Sequence, residues 1–228
     1  MADGAELLRT WEHGQGLPPA ARLLHLAGED TADLPVGAAV AALLARHRAW
    51  FGPTLRGVAD CPQCNTRLEI ACDVDELLRT PVPGPGVHSV AAHGHHVRFR
   101  LPTVADLIAV EPAQDEDTAA LSLLNRCLVG RCLADATADA ALLAPVSERM
   151  AEIDPLGDAE LALQCESCGA QFARGLDAGE FLWREIETRA LRLLGQVHAL
   201  ARAYGWREAD ILAMSPARRQ VYLDLAGA

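Results

Sequence analysis

The chain has 228 residues, 50% of them hydrophobic, enough to bury one sizeable core or two small ones and too apolar for a disordered chain. Its 20 cations, all arginine, face 31 carboxylates, and the resulting charge of -11 repels phosphate backbones, which argues against nucleic-acid binding without a basic face large enough to outweigh it. Residues 1–10 lack the apolar run of a signal peptide and no segment reaches the ~20 apolar residues of a membrane-spanning helix, so a cytoplasmic protein is expected.

In chain order, Ala/Leu/Arg-rich segments with helical spacing cover residues 5–12, 19–26 and 36–50. Leu43, Leu44, His47 and Trp50 share a face of the third, and Gly52-Pro53 stops it. A cysteine-bearing stretch follows over 55–79, and the Pro/Gly run 81–86 predicts a loop. Val97, Phe99 and Leu101 alternate with polar residues, a period of two that predicts a short strand ended by Pro102. Thr103 then caps a helix, with Asp106 at its third position favouring the N-terminal dipole. Helical patterns resume over 117–129 and 138–153, where Pro145 is expected to break or restart the second. The longest helix spans 178–204, with Leu182, Ile186, Ala190, Leu193, Val197, Leu200 and Tyr204 on one stripe and Gly205 as its left-handed cap. Two short helices, 206–213 and 216–225, finish the chain, the last with Ser215 as N-cap and Pro216 at its first position.

Seven cysteines in a reducing compartment read as ligands or small buried hydrophobes before they read as disulfides. Four of them lie in an internal repeat. Cys61-Pro62-Gln63-Cys64-Asn65 overlays Cys165-Glu166-Ser167-Cys168-Gly169, and the match runs on without a gap: Leu68 falls on Phe172, Asp73 on Asp177, Glu76 on Glu180. Each half reads as strand, cysteine turn, strand, then a helix opened by Asp with Glu three residues on, a variant of the capping box. The residue after each second cysteine needs a positive φ so that backbone amides can point at the sulfurs, and Asn65 and Gly169 tolerate it best. Brought together, the two turns predict a closed four-thiolate site for a structural zinc ion on Cys61, Cys64, Cys165 and Cys168, with no position left for a catalytic water. The long intervening segment is no obstacle, because loop-closure entropy grows only with the logarithm of length. Zinc would then tie residues 55–80 to 156–182 and couple binding to folding.

Other polar clusters have plainer readings. His88, His93, His95 and His96 could offer a second metal site, but they follow a Pro/Gly loop without a nearby Cys or carboxylate, so a solvated loop is expected. Cys72, Cys127 and Cys132 lack matched spacing or an activating neighbour and are expected to be packing residues. Asp115-Glu116-Asp117 suits the dipole of a helix about to begin. Arg218, Arg219 and Gln220 superficially suggest a helix-turn-helix, yet the net charge favours a hairpin packing Ile211, Leu212, Val221, Tyr222 and Leu225 onto the long helix. No nucleophile elbow, P-loop, dinucleotide fingerprint or zinc-protease motif occurs, so no enzymatic activity is expected.

Several strings together resemble a known family: Asp60-Cys61-Pro62, Phe99-Arg100-Leu101-Pro102-Thr103 before Asp106-Leu107, Cys165 to Gly169, Phe181-Leu182-Trp183, Tyr204-Gly205-Trp206, and Ser215-Pro216 through Arg218-Arg219 to Tyr222-Leu223. They look like the T4-type phage baseplate proteins of bacterial contractile injection systems, with a likeness running from Phe51-Gly52-Pro53 to the C-terminus. The second turn departs from the family pattern, having Glu166 where proline usually follows the first cysteine, but loses no ligand. The resemblance implies a non-catalytic structural or chaperone-like assembly role, acting on other baseplate or hub proteins, with no membrane or small-molecule substrate. The alternative is a zinc-ribbon regulatory protein that binds nucleic acid. The expected fold is α+β and mainly helical. An N-terminal helical region (1–54) precedes a zinc ribbon split between 55–80 and 156–180; the ribbon encloses an insertion (81–155) and is followed by a C-terminal helical region (181–228).

Overall fold

A computed structural model of the chain describes residues 3–92, 95–113, 115–130 and 136–227. Helices dominate, and among the described residues the strands form three separate two-stranded antiparallel sheets.

The first three helices, α1 (Gly4–Gly14), α2 (Pro19–Ala27) and α3 (Val36–Phe51), lie within a residue or two of the expected spans. Proline at N1 opens α2, and Gly52 at φ 101° ends α3 in a conformation that disfavours any side chain. The expected face of α3 is the packed one: Leu43, Leu44 and His47 are buried and Trp50 is half-buried.

Two hairpins of one design follow from the repeat. The first is β1 (Thr54–Asp60) against β2 (Arg67–Asp73), leading into a single turn of helix, α4 (Val74–Leu77). Between the halves come a third hairpin, β3 (Val87–Ala92) with β4 (His95–Arg100), and the helices α5 (Val104–Val110), α6 (Glu116–Cys127) and α7 (Ala136–Ile153). The second copy is β5 (Glu160–Gln164) against β6 (Gln171–Gly175), followed by α8 (Ala178–Tyr204). Two short helices, α9 (Glu208–Leu212) and α10 (Pro216–Ala226), close the chain.

The spine is α8. Its predicted stripe is buried from Leu182 to Leu200, while Tyr204 at its end is 37% exposed. Near its N-terminus Leu182, Trp183 and Ile186 join Leu26, Leu43, Leu44, Leu55 and Val74 in the main core. Farther along, Ala190 and Leu193 meet Leu7 and Leu8 of α1, and Val197 and Leu200 meet Ile211 and Leu223. The insertion has its own small cluster of Val97, Phe99 and Val146. Backbone bonds from Val36 to Pro102 and from Ala105 to Ala32, and a bond from the Gly37 amide to buried Asp154, fasten it to the start of α3 and the turn before it.

Four expectations change. The strand at Val97 has a partner, β3, unpredicted because Val87–Ala92 pairs through its backbone and carries little alternation of its own. His88 and His96 consequently sit on a hairpin rather than in a loop, with His88 half-buried and its ring 5.8 Å from that of Phe99. Pro145 lies inside an unbroken α7. Its neighbour Val146 and the residues Met150 and Ile153 are packed around Phe99, contacts that offset the roughly 3 kcal/mol cost of an interior proline. On α10 the buried residues are Arg219 and Leu223; Val221 and Leu225 are 57% and 72% exposed, because Leu223 packs with Val197, Leu200 and Ile211 while Arg219 turns inward to the Leu212 and Met214 carbonyls.

Candidate metal centre

Each hairpin ends in the same knuckle. The amide of Cys61 donates to Thr66 O (3.0 Å) and that of Asn65 to Cys61 O (2.9 Å); in the second copy Cys165 donates to Ala170 O (2.8 Å) and Gly169 to Cys165 O (2.8 Å). Asn65 at φ 55° and Gly169 at φ 76° occupy the left-handed region, as their position after the second cysteine requires. Asn65 is the only non-glycine residue with positive φ among the described residues. Asp73 accepts from the amides of Asp75 and Glu76, and Asp177 from that of Glu180, so both following helices start on an aspartate cap.

The two knuckles meet. Cys61 Sγ lies 3.7 Å from Cys168 Sγ, Cys64 Sγ lies 3.6 Å from Cys165 Sγ, and all four sulfurs fall within 4.8 Å of one another. The first cysteine of each pair is buried and the second exposed, so the cluster has an inner and an outer edge. A metal bound at ~2.3 Å to four thiolates sets the sulfurs ~3.8 Å apart, close to the two distances seen. The four cysteines could therefore hold a metal ion with little movement.

Two side chains absent from the sequence argument support the cluster. Thr66 Oγ1 is 3.2 Å from Cys64 Sγ, and the Cys168 thiol donates to Gln63 Oε1 at 3.7 Å. Their only sequence signal is position, inside or just after a cysteine turn. Without a cation the four thiols cannot ionise together. Hydrogen bonds from Thr66, first its hydroxyl and then its amide, draw Cys64 down to about 6. At Cys168 the Ala170 amide acts in the same lowering sense, but desolvation and the bonds to Cys64, Cys165 and Cys61 outweigh it and push the thiol up to about 12. A divalent cation at the centre would hold all four as thiolates.

The remaining cysteines lie apart. Cys72 is half-buried against the main core and Cys127 is fully buried; burial raises both thiols, that of Cys127 to about 11. Cys132 and His93 lie outside the described residues. Asp115 caps α6, accepting from the Thr118 amide at 2.7 Å. Arg219 is spent inside the fold, donating to Leu212 O and Met214 O. Among the described residues no helix is long and apolar enough to cross a membrane.

Comparison with protein-family models, with curated proteins and with solved structures returned no match to this chain. What can be said of its class rests on the folded chain itself: a mixed, mainly helical protein in which two distant cysteine turns form one cluster.

Proposed function

We propose that the four cysteines hold a structural zinc ion in a split zinc ribbon, and that the protein is a non-catalytic structural or assembly component of a phage-tail-like baseplate, working through protein contacts. The convergence of four sulfurs from turns about a hundred residues apart carries the zinc reading. Thiol pairs occur for many reasons, whereas four sulfurs within 4.8 Å of one another suit a single thiolate-bound metal ion. All four positions are filled by protein thiols, which suits a structural ion and gives water no place to be activated. The baseplate role is carried by the residue strings that resemble that family, several of which sit at fixed points of the fold. Phe99 is fully buried, Thr103 and Asp106 form a capping box, and Tyr204 stacks on Trp206 while Tyr222 meets both rings edge-on.

Metal analysis of protein purified without added metal tests the first part. About one zinc per chain is expected, with loss in Cys165→Ser; iron in its place, or no metal, overturns it. For the second part, deleting the gene is expected to abolish assembled particles, and tagged protein to co-purify with baseplate components. Normal particles from the deletion strain would rule the role out. A mobility-shift salt series addresses the nucleic-acid alternative, since phosphate contacts weaken steeply with salt.

A further inference from the structure

On the side of α8 where α1, the end of α3 and the α9–α10 turn converge lies a groove of about 650 Å3. Its walls carry three arginines, Arg189 and Arg192 of α8 and Arg219 of α10, against a single lining carboxylate, Asp3. Arg192 is exposed, and the residues three and four positions away on its helix are Thr188, Arg189, Gly195 and Gln196, so no carboxylate on α8 can reach it. Arg189 lies over the Phe51 ring at 5.4 Å and keeps only a long 3.6 Å pairing with Glu185. Buried Arg219 has an Nε with no partner. Apolar surface comes from half-buried Trp50 and Phe51, with buried Leu7 and Leu193 beneath. In a chain of charge -11 the groove therefore carries more cations than carboxylates beside aromatic surface, with Arg192 exposed and free of any carboxylate partner on its own helix.

We propose that this groove docks an acidic amphipathic helix of a partner protein. Arg189 and Arg192 stand one turn apart, a rise of about 4.5 Å, which is also the spacing of carboxylates at i and i+3 on a docked helix. Apolar residues between those carboxylates would meet Trp50 and Phe51, the kind of aromatic anchor on which interface energy concentrates. The N-termini of α1 and α10 at the same groove add partial positive charge. The rest of the acidic surface is screened beyond a Debye length of ~8 Å, so local charge governs docking. The inference stands apart from the metal centre and from the baseplate reading.

The test is fluorescence anisotropy with the full-length protein as purified. Its probe is a labelled helix-forming peptide of glutamate, alanine and leucine, roughly 16 residues long, with a lysine-for-glutamate copy as control. Binding of the acidic peptide should weaken as salt rises. It should fall roughly tenfold or more in R189E/R192E, with cooperative thermal unfolding retained at a midpoint only slightly lowered by the loss of the Arg189 contacts. Arg192→Gln alone, at an exposed position, should give a smaller loss in the same direction. Arg98→Glu, exposed on β4 and outside the lining of the groove, should bind like the parent. No measurable binding by the parent, equal binding by the double variant, equal binding of the lysine peptide, or capture of duplex DNA instead of the acidic peptide would each overturn the proposal.

Discussion

Two buried aspartates show how the same side chain acquires opposite acid-base behaviour. Asp106 is 2% exposed, and burial alone would raise its pKa; Arg100 at 2.5 and 2.9 Å, the Thr103 amide and hydroxyl, and Arg126 at 2.9 Å instead hold it well below the carboxylate range. Its folded pKa lies below the unfolded value, so the stability it adds is present above about pH 4 and is lost as pH falls towards the folded value. Asp106→Ala should cost about 3 kcal/mol near neutrality, towards the low end for a broken buried pair because both arginines keep access to water. Asp106→Asn should lack the acid-side slope in denaturant melts. Asp154 is the reverse case: burial raises it, outweighing the Gly37 and Gly157 amides. Its contribution is present below the unfolded pKa of ~3.9 and lost as pH climbs through the raised folded value. Asp154→Asn keeps an acceptor for Gly37 and sheds the charge, so it should be at least as stable as the parent at pH 7 and flatter across pH 4 to 7. A marked destabilisation at neutral pH would contradict this reading.

Elements carry the next set of expectations. The first cysteine hairpin is seated on α8 through Gly57, where an added Cβ would stand 2.3 Å from the Phe181 ring. Gly57→Ala should therefore displace the hairpin or the ring and cost about 1–3 kcal/mol in a denaturant melt. On α10, Leu223→Ala should cost about 2–4 kcal/mol, whereas Val221→Ser, on the exposed side, should change stability by less than about 0.5 kcal/mol. The reverse order would restore the packing face expected from sequence. That face was misjudged because Val221, Tyr222, Leu223 and Leu225 are all apolar, so hydropathy alone could not choose a stripe. The choice lies with Arg219, which is buried to bind the carbonyls of Leu212 and Met214 and turns Leu223 inward with it.

For the whole molecule, the cysteine cluster joins the first third of the chain to the start of α8. Chelation should lower the thermal midpoint by more than about 10 °C, and Cys165→Ser should resemble the chelated parent, as expected when metal binding and folding are one process. An unchanged midpoint would mean that the cores hold the hairpins together without a metal. The main core reaches both hairpins, through Leu55, Val74 and Leu161, while one cysteine of each pair is exposed.

Much of this was legible in sequence because it is local. Helical periodicity, proline and glycine stops, aspartate caps and the positive φ after each cysteine pair are set by a residue and its near neighbours, and the 104-residue offset of the repeat is arithmetic on the sequence. Tertiary structure alone decided the matters that depend on distant partners. It gave β4 its strand mate, let α7 run through Pro145, clamped Asp106 between Arg100 and Arg126, and brought four sulfurs within 4.8 Å. A chain can announce which groups need satisfying; which ones satisfy each other is a property of proximity, and proximity exists only once the apolar stripes have packed.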